Sequence, residues 1–291
     1  MWTHIPILAN PIADFLLLNL QGTYVDGTLG LGGHTKLFLS KLGPQARIFG
    51  FDKDPHALQM ACQRVNDPRL IASHASYVQA PEVLAAHGVT QVDGALFDLG
   101  LSSYQVDDPQ RGFSIVRDGP LDMRFDPTQP LTAAEIVNTW PLEELARIFR
   151  DYGEERRADQ VAHALVTARR TQPFKTTFDL KRAAETALGP QRGRVHPATQ
   201  IFQALRIACN QELANVAQVA QVLTAILKPG ARGAVLTFHS LEDRLIKNQF
   251  KELAAGGKFR LVNKHTVLPS YEEIRQNPRA RSAKLRVIER L

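Results

Sequence analysis

The stretch between Thr23 and Asp54 constrains the fold of this chain more than any other part of the sequence. Its pattern predicts a strand at 23–25, a turn with four glycines, a helix at 34–42 and a strand at 47–51. This order forms one half of a nucleotide-binding α/β sheet. Glycines let the backbone approach a ligand closely, and a carboxylate after the second strand can bind both hydroxyls of a ribose. A tight turn without a ligand is the alternative for the glycines alone.

The alternation of strands and helices continues along the chain. Helices are predicted at 55–65 and 80–87. Strands are predicted at 69–72 and at 92–97. Short connections between these elements favour a parallel sheet with right-handed crossovers. Ligands of such sheets bind beyond the carboxyl ends of the strands. We therefore expect one rim of the sheet to carry Asp26, Asp52, Tyr77 and Asp98.

Strand character is missing between residues 109 and 208. This part begins with a loop and then shows only helical periodicity, and strand character returns at 233–238 after a Lys-Pro-Gly turn. We therefore predict an α/β core with an all-helical domain inserted between its fourth and fifth strands. The predicted bounds are 1–108 for the first part of the core, 109–208 for the insert and 209–291 for the second part of the core.

Composition restricts the class of protein. With 44% hydrophobic and 22% charged residues over 291 positions, the chain resembles soluble globular proteins. It has no apolar run long enough to cross a bilayer, and its start lacks the basic region and cleavage site of a signal peptide. Two isolated cysteines, Cys62 and Cys209, argue against a disulfide framework and a cysteine-bound metal. We expect a cytoplasmic protein that does not bind membranes.

The net charge of +6 is concentrated at the end of the chain. Residues 251–291 contain ten lysines and arginines against four glutamates. A localised basic surface is what a polyanionic partner requires. Lysines that serve only solubility would give the same count, so charge alone does not decide between the two interpretations.

Two cofactors, NAD and S-adenosylmethionine, bind half-sheets of this type, and the glycine turn alone does not separate them. Three features favour the methyl donor. The turn reads GLGGH rather than GxGxxG, Asp52 follows the second strand, and the fourth strand ends in Asp98 before a polar loop. A dehydrogenase would need a second three-stranded half, and a helical insert stands where that half would begin.

The loop after the fourth strand is the candidate catalytic segment. It offers hydrogen-bond donors and acceptors from Asp98, Ser102, Ser103 and Gln105. These groups suit an amine conjugated to a ring, whose N–H bonds need an acceptor as the nitrogen attacks a methyl group. A strand-end turn in which the serines cap the backbone is the alternative.

Two further segments have alternative interpretations. The RGFS and LDMR sequences at 111–114 and 121–124 place an aromatic residue among arginines, a combination that can stack on a base and bind its phosphates. Phe113 and Met123 could equally fix this loop onto the insert. The FHSLEDR segment brings one histidine near two carboxylates, a poor metal-binding pattern, so we expect no metal.

The order of these motifs along the chain closely resembles a known family, the bacterial 16S ribosomal RNA cytosine-N4 methyltransferases of the MraW type. The segments that carry the resemblance are THIPIL, DGTLGLGGHT, FDKDP, DLGLSSYQ, RGFS with DGPLDMR, YGEER, HPATQIFQALRIACNQEL, FHSLEDR and NPRARSAKLR. Together they span almost the full length of the sequence.

The resemblance implies a class I, Rossmann-like methyltransferase core with a helical insert. It implies that S-adenosylmethionine methylates N4 of a cytidine in the decoding region of 16S ribosomal RNA, in the small ribosomal subunit. The family's cofactor contacts map onto Gly32, Gly33, His34, Asp52, Tyr77, Asp98 and Gln105. The family often has phenylalanine where this chain has Tyr77. For catalysis we expect Asp98, supported by Ser102 and Ser103.

Two rival functions remain open on the sequence. A nicotinamide-dependent oxidoreductase would bind NAD and not S-adenosylmethionine. A non-enzymatic RNA-binding or assembly module would bind RNA without transferring a methyl group. A complete cofactor rim next to a polar loop at the fourth strand argues against both. A homodimer is a further expectation if the insert carries an apolar patch.

Overall fold

The computed structural model describes residues 6–189 and 196–291 of the chain. Within these residues, seven strands form one sheet. The strands are β1 (Thr23–Asp26), β2 (Arg47–Asp52), β3 (Leu70–His74), β4 (Val92–Asp98), β5 (Leu227–Thr237), β6 (Phe259–Leu261) and β7 (Lys284–Arg290).

Fourteen α-helices occur in the same described residues. They are α1 (Ala9–Leu16), α2 (Gly33–Lys41), α3 (Pro55–Val65), α4 (Ala80–Ala86), α5 (Ser103–Asp107), α6 (Ala133–Thr139), α7 (Leu142–Asp151), α8 (Ala158–Thr171), α9 (Thr177–Leu188), α10 (Ala198–Asn210), α11 (Glu212–Val216), α12 (Val219–Ile226), α13 (Ser240–Ala255) and α14 (Tyr271–Gln276). None of these described helices is long and apolar enough to span a membrane.

The strand order in the sheet is β3-β2-β1-β4-β5-β7-β6. The first five strands pair in parallel, and the order reverses between β1 and β4. Such a reversal opens a crevice at the carboxyl ends of the strands, where ligands of α/β sheets bind. The predicted Rossmann-like α/β core is therefore confirmed. The strands and helices predicted between residues 23 and 98 lie within two residues of their observed bounds.

Alternate residues of the central strands face two separate apolar layers, as the period of a strand requires. On β4, Leu96 packs in one layer with residues of α1 and α2. Its neighbours Ala95 and Phe97 pack in the other layer with residues of α4, α12 and α13. Both faces of the sheet are thus covered, so polar groups that serve a ligand must lie at the strand ends.

The second half of the sheet differs from the prediction. β5 begins at Leu227, and its pairing with β4 jumps from Leu227 to Arg232 while β4 advances only from Val92 to Gly94. The Lys-Pro-Gly segment is therefore a bulge within the strand and does not precede it. Beyond β5, the antiparallel strands β7 and β6 complete the sheet. Four of the seven residues of β7 are charged, and this strand was not predicted from the sequence.

The chain divides into two compact units. The core unit runs up to Gly100 and resumes at Leu213, and the helical unit spans Leu101–Glu212. The helical unit extends beyond the predicted insert, 109–208, at both ends. At its start, Leu101 packs against the apolar core of the helices. At its end, the Asn210 side chain bonds to the backbone of Met123 and Phe125 in the same unit.

Helix α2 follows the glycine turn and is fixed at its carboxyl end by one arginine. The guanidinium of Arg69 donates hydrogen bonds to the carbonyl oxygens of Leu39, Leu42 and Gly43 at 2.9–3.0 Å. It also forms a bidentate pair with Asp67. These bonds satisfy carbonyl groups that the end of a helix leaves without partners. The carboxyl end of α2 is therefore anchored by the residue that immediately precedes β3.

We expect Arg69→Met to lower the free energy of unfolding by about 2–4 kcal/mol, because it leaves several helix-end carbonyls without a donor. Lys41→Met, on the same helix, is the matched control. Lys41 forms only an exposed 3.7 Å pair with Asp14, and such pairs contribute less than about 1 kcal/mol. Urea denaturation of both variants measures the difference. Equal losses would contradict the role assigned to Arg69.

Candidate functional site

The carboxyl ends of β1, β2 and β4 bring three aspartates to one rim of the core unit. Asp26, Asp52 and Asp98 are the last residues of these strands, and the strands pair in parallel in neighbouring positions. Tyr77 follows β3 in a single turn of 3₁₀-helix, Tyr77–Gln79. The predicted placement of these four residues on one rim therefore agrees with the structure.

The glycine turn is held by the carboxylate of Asp52. One oxygen of Asp52 accepts the N–H of Gly30 at 2.7 Å, and the other accepts the N–H of Asp54 at 2.8 Å. Gly30 and Gly32 have φ of 51° and 75°, backbone conformations that favour glycine. A Cβ on Gly32 would also lie 2.6 Å from a methyl carbon of Val65. The turn thus needs glycine both for its conformation and for its packing against α3.

Burial changes the acid-base behaviour of Asp52. Loss of solvent around the carboxylate raises the pKa of Asp52 to about 6, although its bonds from Asp54 and Gly30 oppose the shift. Each oxygen of an ionised carboxylate has more than one lone pair, so both can accept a further hydrogen bond from a ligand. Asp52 therefore presents an acceptor pair that a ribose diol could engage above pH 6.

His34 and Asp98 form a close pair at the rim. Nε2 of His34 lies 3.4 Å from Oδ2 of Asp98, with exposed side-chain fractions of 6% and 19%. In the described part of the chain, neither ring nitrogen of His34 has a hydrogen-bond partner. The Asp98 backbone N–H donates to the hydroxyl of Thr28 at 2.6 Å. The strand end is thus anchored by the glycine turn, while a buried imidazole with unused polar atoms faces its carboxylate.

Sequence reasoning missed two threonines that support this rim. Thr28 holds the end of β4, and the fully buried Thr35 donates its hydroxyl to Asp26 at 2.7 Å. Burial raises the pKa of Asp26, and the Thr35 hydroxyl opposes that shift. A polar residue one turn into a helix that follows an acidic strand end is the signal that could have identified Thr35.

Tyr77 packs close to the sheet rather than standing free of it. Its ring centroid lies 4.9 Å from that of Phe97, and the side chain is 7% exposed. Gly27 makes this approach possible, because a Cβ there would lie 2.2 Å from the Phe97 ring and 2.9 Å from Cβ of Tyr77. The aromatic pair forms an apolar wall beside the rim.

The predicted loop residues beyond Gly100 belong to the helical unit. Ser102 and Gln105 form a reciprocal capping box, in which the Ser102 hydroxyl accepts the Gln105 N–H and the Gln105 side chain accepts the Ser102 N–H. The capping interpretation of the serine is therefore confirmed for Ser102. The side chain of Ser103 lies outside what the structure describes. Roles of all three in binding or catalysis stay predictions.

The stacking interpretation of the RGFS and LDMR segments is wrong. Phe113 and Met123 are 8% and 1% exposed and belong to the apolar core of the helical unit. Arg111 bonds to the carbonyl oxygens of Arg124 and Phe125, so its guanidinium holds the loop closed. The alternative, that these residues fix the loop onto the insert, is correct.

The FHSLEDR segment serves the start of α13. The Glu242 carboxylate accepts the N–H groups of Phe238 and His239, and His239 accepts the Glu242 N–H in return. Asp243 pairs with Arg286 at 2.7 Å and Lys284 at 3.3 Å, which ties α13 to β7. Asp243 therefore has a structural role in joining these two elements.

Comparison with known proteins gives matches over the whole chain. The MraW methylase family model matches residues 1–291. Three curated relatives carry the name ribosomal RNA small subunit methyltransferase H. The one from Elusimicrobium minutum is 53% identical over 100% of this chain and 99% of its own length. Those from Coprothermobacter proteolyticus and Thermomicrobium roseum are 45% and 44% identical, each over 99% of this chain and 96% and 94% of their own lengths.

We expect Thr35→Val to lower the free energy of unfolding by about 1–3 kcal/mol, because it removes a hydrogen bond to the buried Asp26. The pKa of Asp26 is higher in the folded state than in the unfolded state, because burial disfavours the ionised carboxylate. The free energy of unfolding therefore falls as pH rises through the folded pKa. The lost hydroxyl stabilises the ionised form. Denaturation over a range of pH should therefore show a loss that increases with pH as folded Asp26 ionises.

Thr35→Ser is the matched control, since it keeps the hydroxyl and removes only a methyl group. Its loss of stability should be nearly independent of pH. A Thr35→Val loss that stays constant across the pH range would show that the hydroxyl does not support ionised Asp26.

Proposed function

The chain belongs to the MraW methylase family, and we propose that it transfers a methyl group from S-adenosylmethionine to the N4 amine of a cytidine in 16S ribosomal RNA. The observation that carries the proposal is the 53% identity over the full chain to a relative named ribosomal RNA small subunit methyltransferase H. That name supports a methyltransferase acting on small-subunit ribosomal RNA. The choice of cytidine N4 rests on the order of sequence motifs described above.

The rim residues fit S-adenosylmethionine by their chemistry. The cofactor carries a ribose diol and two cationic groups, an ammonium and a sulfonium, and the rim offers the carboxylates of Asp26, Asp52 and Asp98. The Asp52 carboxylate suits the ribose, and the apolar wall of Tyr77 and Phe97 suits the flat face of the cofactor's base. His34 adds buried nitrogen atoms that are free to bond a ligand. When bound, the cofactor supplies a methyl group on an electrophilic sulfonium.

We assign Asp98 the central catalytic role. An amine that gains a methyl group must lose one proton, and the Asp98 carboxylate can accept a hydrogen bond from that N–H and then the proton. Thr28 fixes the backbone of Asp98, and His34 limits the positions that its carboxylate can take. Such positioning accounts for most of the rate gain in a direct displacement.

Roles for three residues of the helical unit rest on the resemblance alone. We propose Gln105 as a cofactor ligand and Ser102 and Ser103 as supporting hydrogen-bond groups for the amine. The proposed substrate implies a cytoplasmic enzyme that works on the small ribosomal subunit or its RNA. The expectation of a homodimer stays a prediction.

The decisive experiment combines cofactor binding with product analysis. We expect S-adenosylmethionine to raise the melting temperature and NAD to leave it unchanged. We expect labelled methyl groups to enter 16S ribosomal RNA and mass spectrometry of its nucleosides to identify N4-methylcytidine. Stabilisation by NAD alone would favour the oxidoreductase. RNA binding without methyl incorporation would favour the non-enzymatic module.

We expect Asp98→Asn to lower turnover at saturating cofactor by at least about 100-fold, because the amide cannot take the proton of the amine. Asp14→Asn is the matched control, since Asp14 is an exposed aspartate of α1 that is 74% accessible. Single-turnover methylation of 16S ribosomal RNA measures both variants. Near-normal turnover of Asp98→Asn would show that the carboxylate does not accept the proton.

We expect cofactor affinity to depend on pH through Asp52. Its raised pKa of about 6 means that the carboxylate takes up a proton as pH falls through 6 and then loses acceptor capacity for the ribose. Affinity should be constant near pH 7 and fall by up to about tenfold per pH unit below 6. Calorimetric titration with S-adenosylhomocysteine between pH 5 and 7.5 measures this. Asp52→Asn should bind more weakly at pH 7 and show a flatter profile, and an unchanged profile would exclude Asp52 as its source.

A further inference from the structure

The connection between β6 and β7, residues 262–283, is here called the C-terminal loop. β7 runs antiparallel to β5 and begins opposite its end, where Lys284 pairs with Thr237. β6 is antiparallel to β7 and therefore runs in the direction of β5. The chain thus leaves β6 and enters β7 at the carboxyl edge of the sheet. This edge is the one that carries Asp26, Asp52 and Asp98.

The C-terminal loop is fixed on its inner side. Ala280 and Ala283 are fully buried in the apolar layer of α1 and α2, and Ile274 packs against the same layer. The Glu273 carboxylate accepts the N–H of Leu8 at 2.6 Å. Glu273 also lines a cavity of about 560 Å³ together with Gly32 of the glycine turn. The loop is therefore an ordered part of the core unit that borders the turn.

The outer side of the loop exposes large apolar groups. Tyr271 is 84% exposed and Leu268 is 61% exposed. Tyr271 and Arg275 are four residues apart in α14, so they lie on the same helix face. Residues at such a spacing can present a ring and a cation to one ligand. An exposed aromatic ring on the same helix face as an exposed cation offers a platform on which a base can stack.

The loop also exposes cations that have no counter-ion among the residues that the structure describes. Lys264, Arg275 and Arg281 are exposed, and no carboxylate pairs with them in the part of the chain that the structure describes. The loop holds four lysines and arginines against two glutamates, and Glu273 is engaged by Leu8. Surfaces that bind single-stranded RNA combine an aromatic ring, on which a base stacks, with cations that contact the phosphates. Tyr271 and the exposed lysine and arginines of the loop provide both.

We propose that the outer face of the C-terminal loop binds an RNA strand, with Tyr271 stacking on a base and Lys264 and Arg275 contacting phosphates. The inference rests on the proposed function, since it makes this strand part of the ribosomal RNA substrate. The surface lies at the same carboxyl edge of the sheet as the proposed cofactor residues, so RNA bound there would lie at the edge where we place the reaction. Its basic charge and aromatic ring favour RNA over a protein partner.

The test measures the affinity of the full-length protein for a 16S ribosomal RNA transcript by filter binding over a range of salt concentrations. Tyr271→Ala should weaken binding by about fivefold to 100-fold, the range for loss of one stacked base. Tyr271→Phe keeps the ring and should bind like the wild type. Lys264→Gln with Arg275→Gln should reduce the slope of log affinity against log salt by about 1.4, since each phosphate contact on a single strand contributes about 0.7.

Lys258→Gln is the matched charge control. Lys258 is an exposed lysine immediately before β6, at the opposite edge of the sheet, and its replacement should leave the salt slope unchanged. All the altered side chains are exposed, so melting temperatures should remain those of the wild type. Binding by Tyr271→Ala and by the double variant that equals the wild type would overturn the proposal. Loss of binding to small-subunit particles but not to the RNA transcript would also overturn it, in favour of a protein partner.

Methyl incorporation by the wild type separates this proposal from the proposed function. If the wild type methylates the transcript and the variants bind RNA as well as the wild type does, the C-terminal loop is not the RNA-binding surface. The proposed function would then stand. A wild type that binds the transcript through Tyr271 but incorporates no methyl group into either the transcript or small-subunit particles would support the surface and overturn the proposed function.

Discussion

The hydrogen bond from the Gly30 N–H to the Asp52 carboxylate connects the two strands on which the candidate site is built. It fixes the glycine turn at the end of β1 to the end of β2, and it involves the same side chain that we propose for binding the ribose. The conformation of the turn then sets the start of α2 and so the position of His34. Because His34 faces Asp98 at 3.4 Å, the same bond indirectly sets the geometry at the end of β4.

Buried carboxylates make this arrangement sensitive to its surroundings. Burial raises the pKa of Asp26 and of Asp52, because the ionised carboxylates lose solvent. Hydrogen bonds from backbone N–H groups and from the Thr35 hydroxyl stabilise the ionised forms and oppose this shift. A cationic ligand would stabilise the ionised forms further, since it meets negative charge in a region of low dielectric constant. We therefore infer that binding of the proposed cofactor offsets part of the free energy needed to keep the buried aspartates ionised.

Much of the core could be predicted from sequence because local and tertiary preferences agree there. From Thr23 to Asp98, each local feature predicts the same parallel α/β sheet. These features are the glycine turn, the aspartates at the strand ends and the apolar strands that are covered on both faces. The sequence failed where a tertiary partner decides the structure. Strand β7 depends on β5 and β6, and the burial of Phe113 depends on helices distant in sequence. The hydroxyl of Thr35 has a recognisable role only when the end of β1 is placed beside it.

The carboxyl edge of the core unit separates its charges by depth. Carboxylates at the strand ends are partly or fully buried, so they act on a ligand in direct contact. The cations of the C-terminal loop are exposed and act through solvent, where the screening length is about 8–10 Å. A polyanion can therefore be attracted to the loop without meeting the full repulsion of the aspartates. Such a separation allows one edge to hold a cationic methyl donor and an RNA strand at the same time.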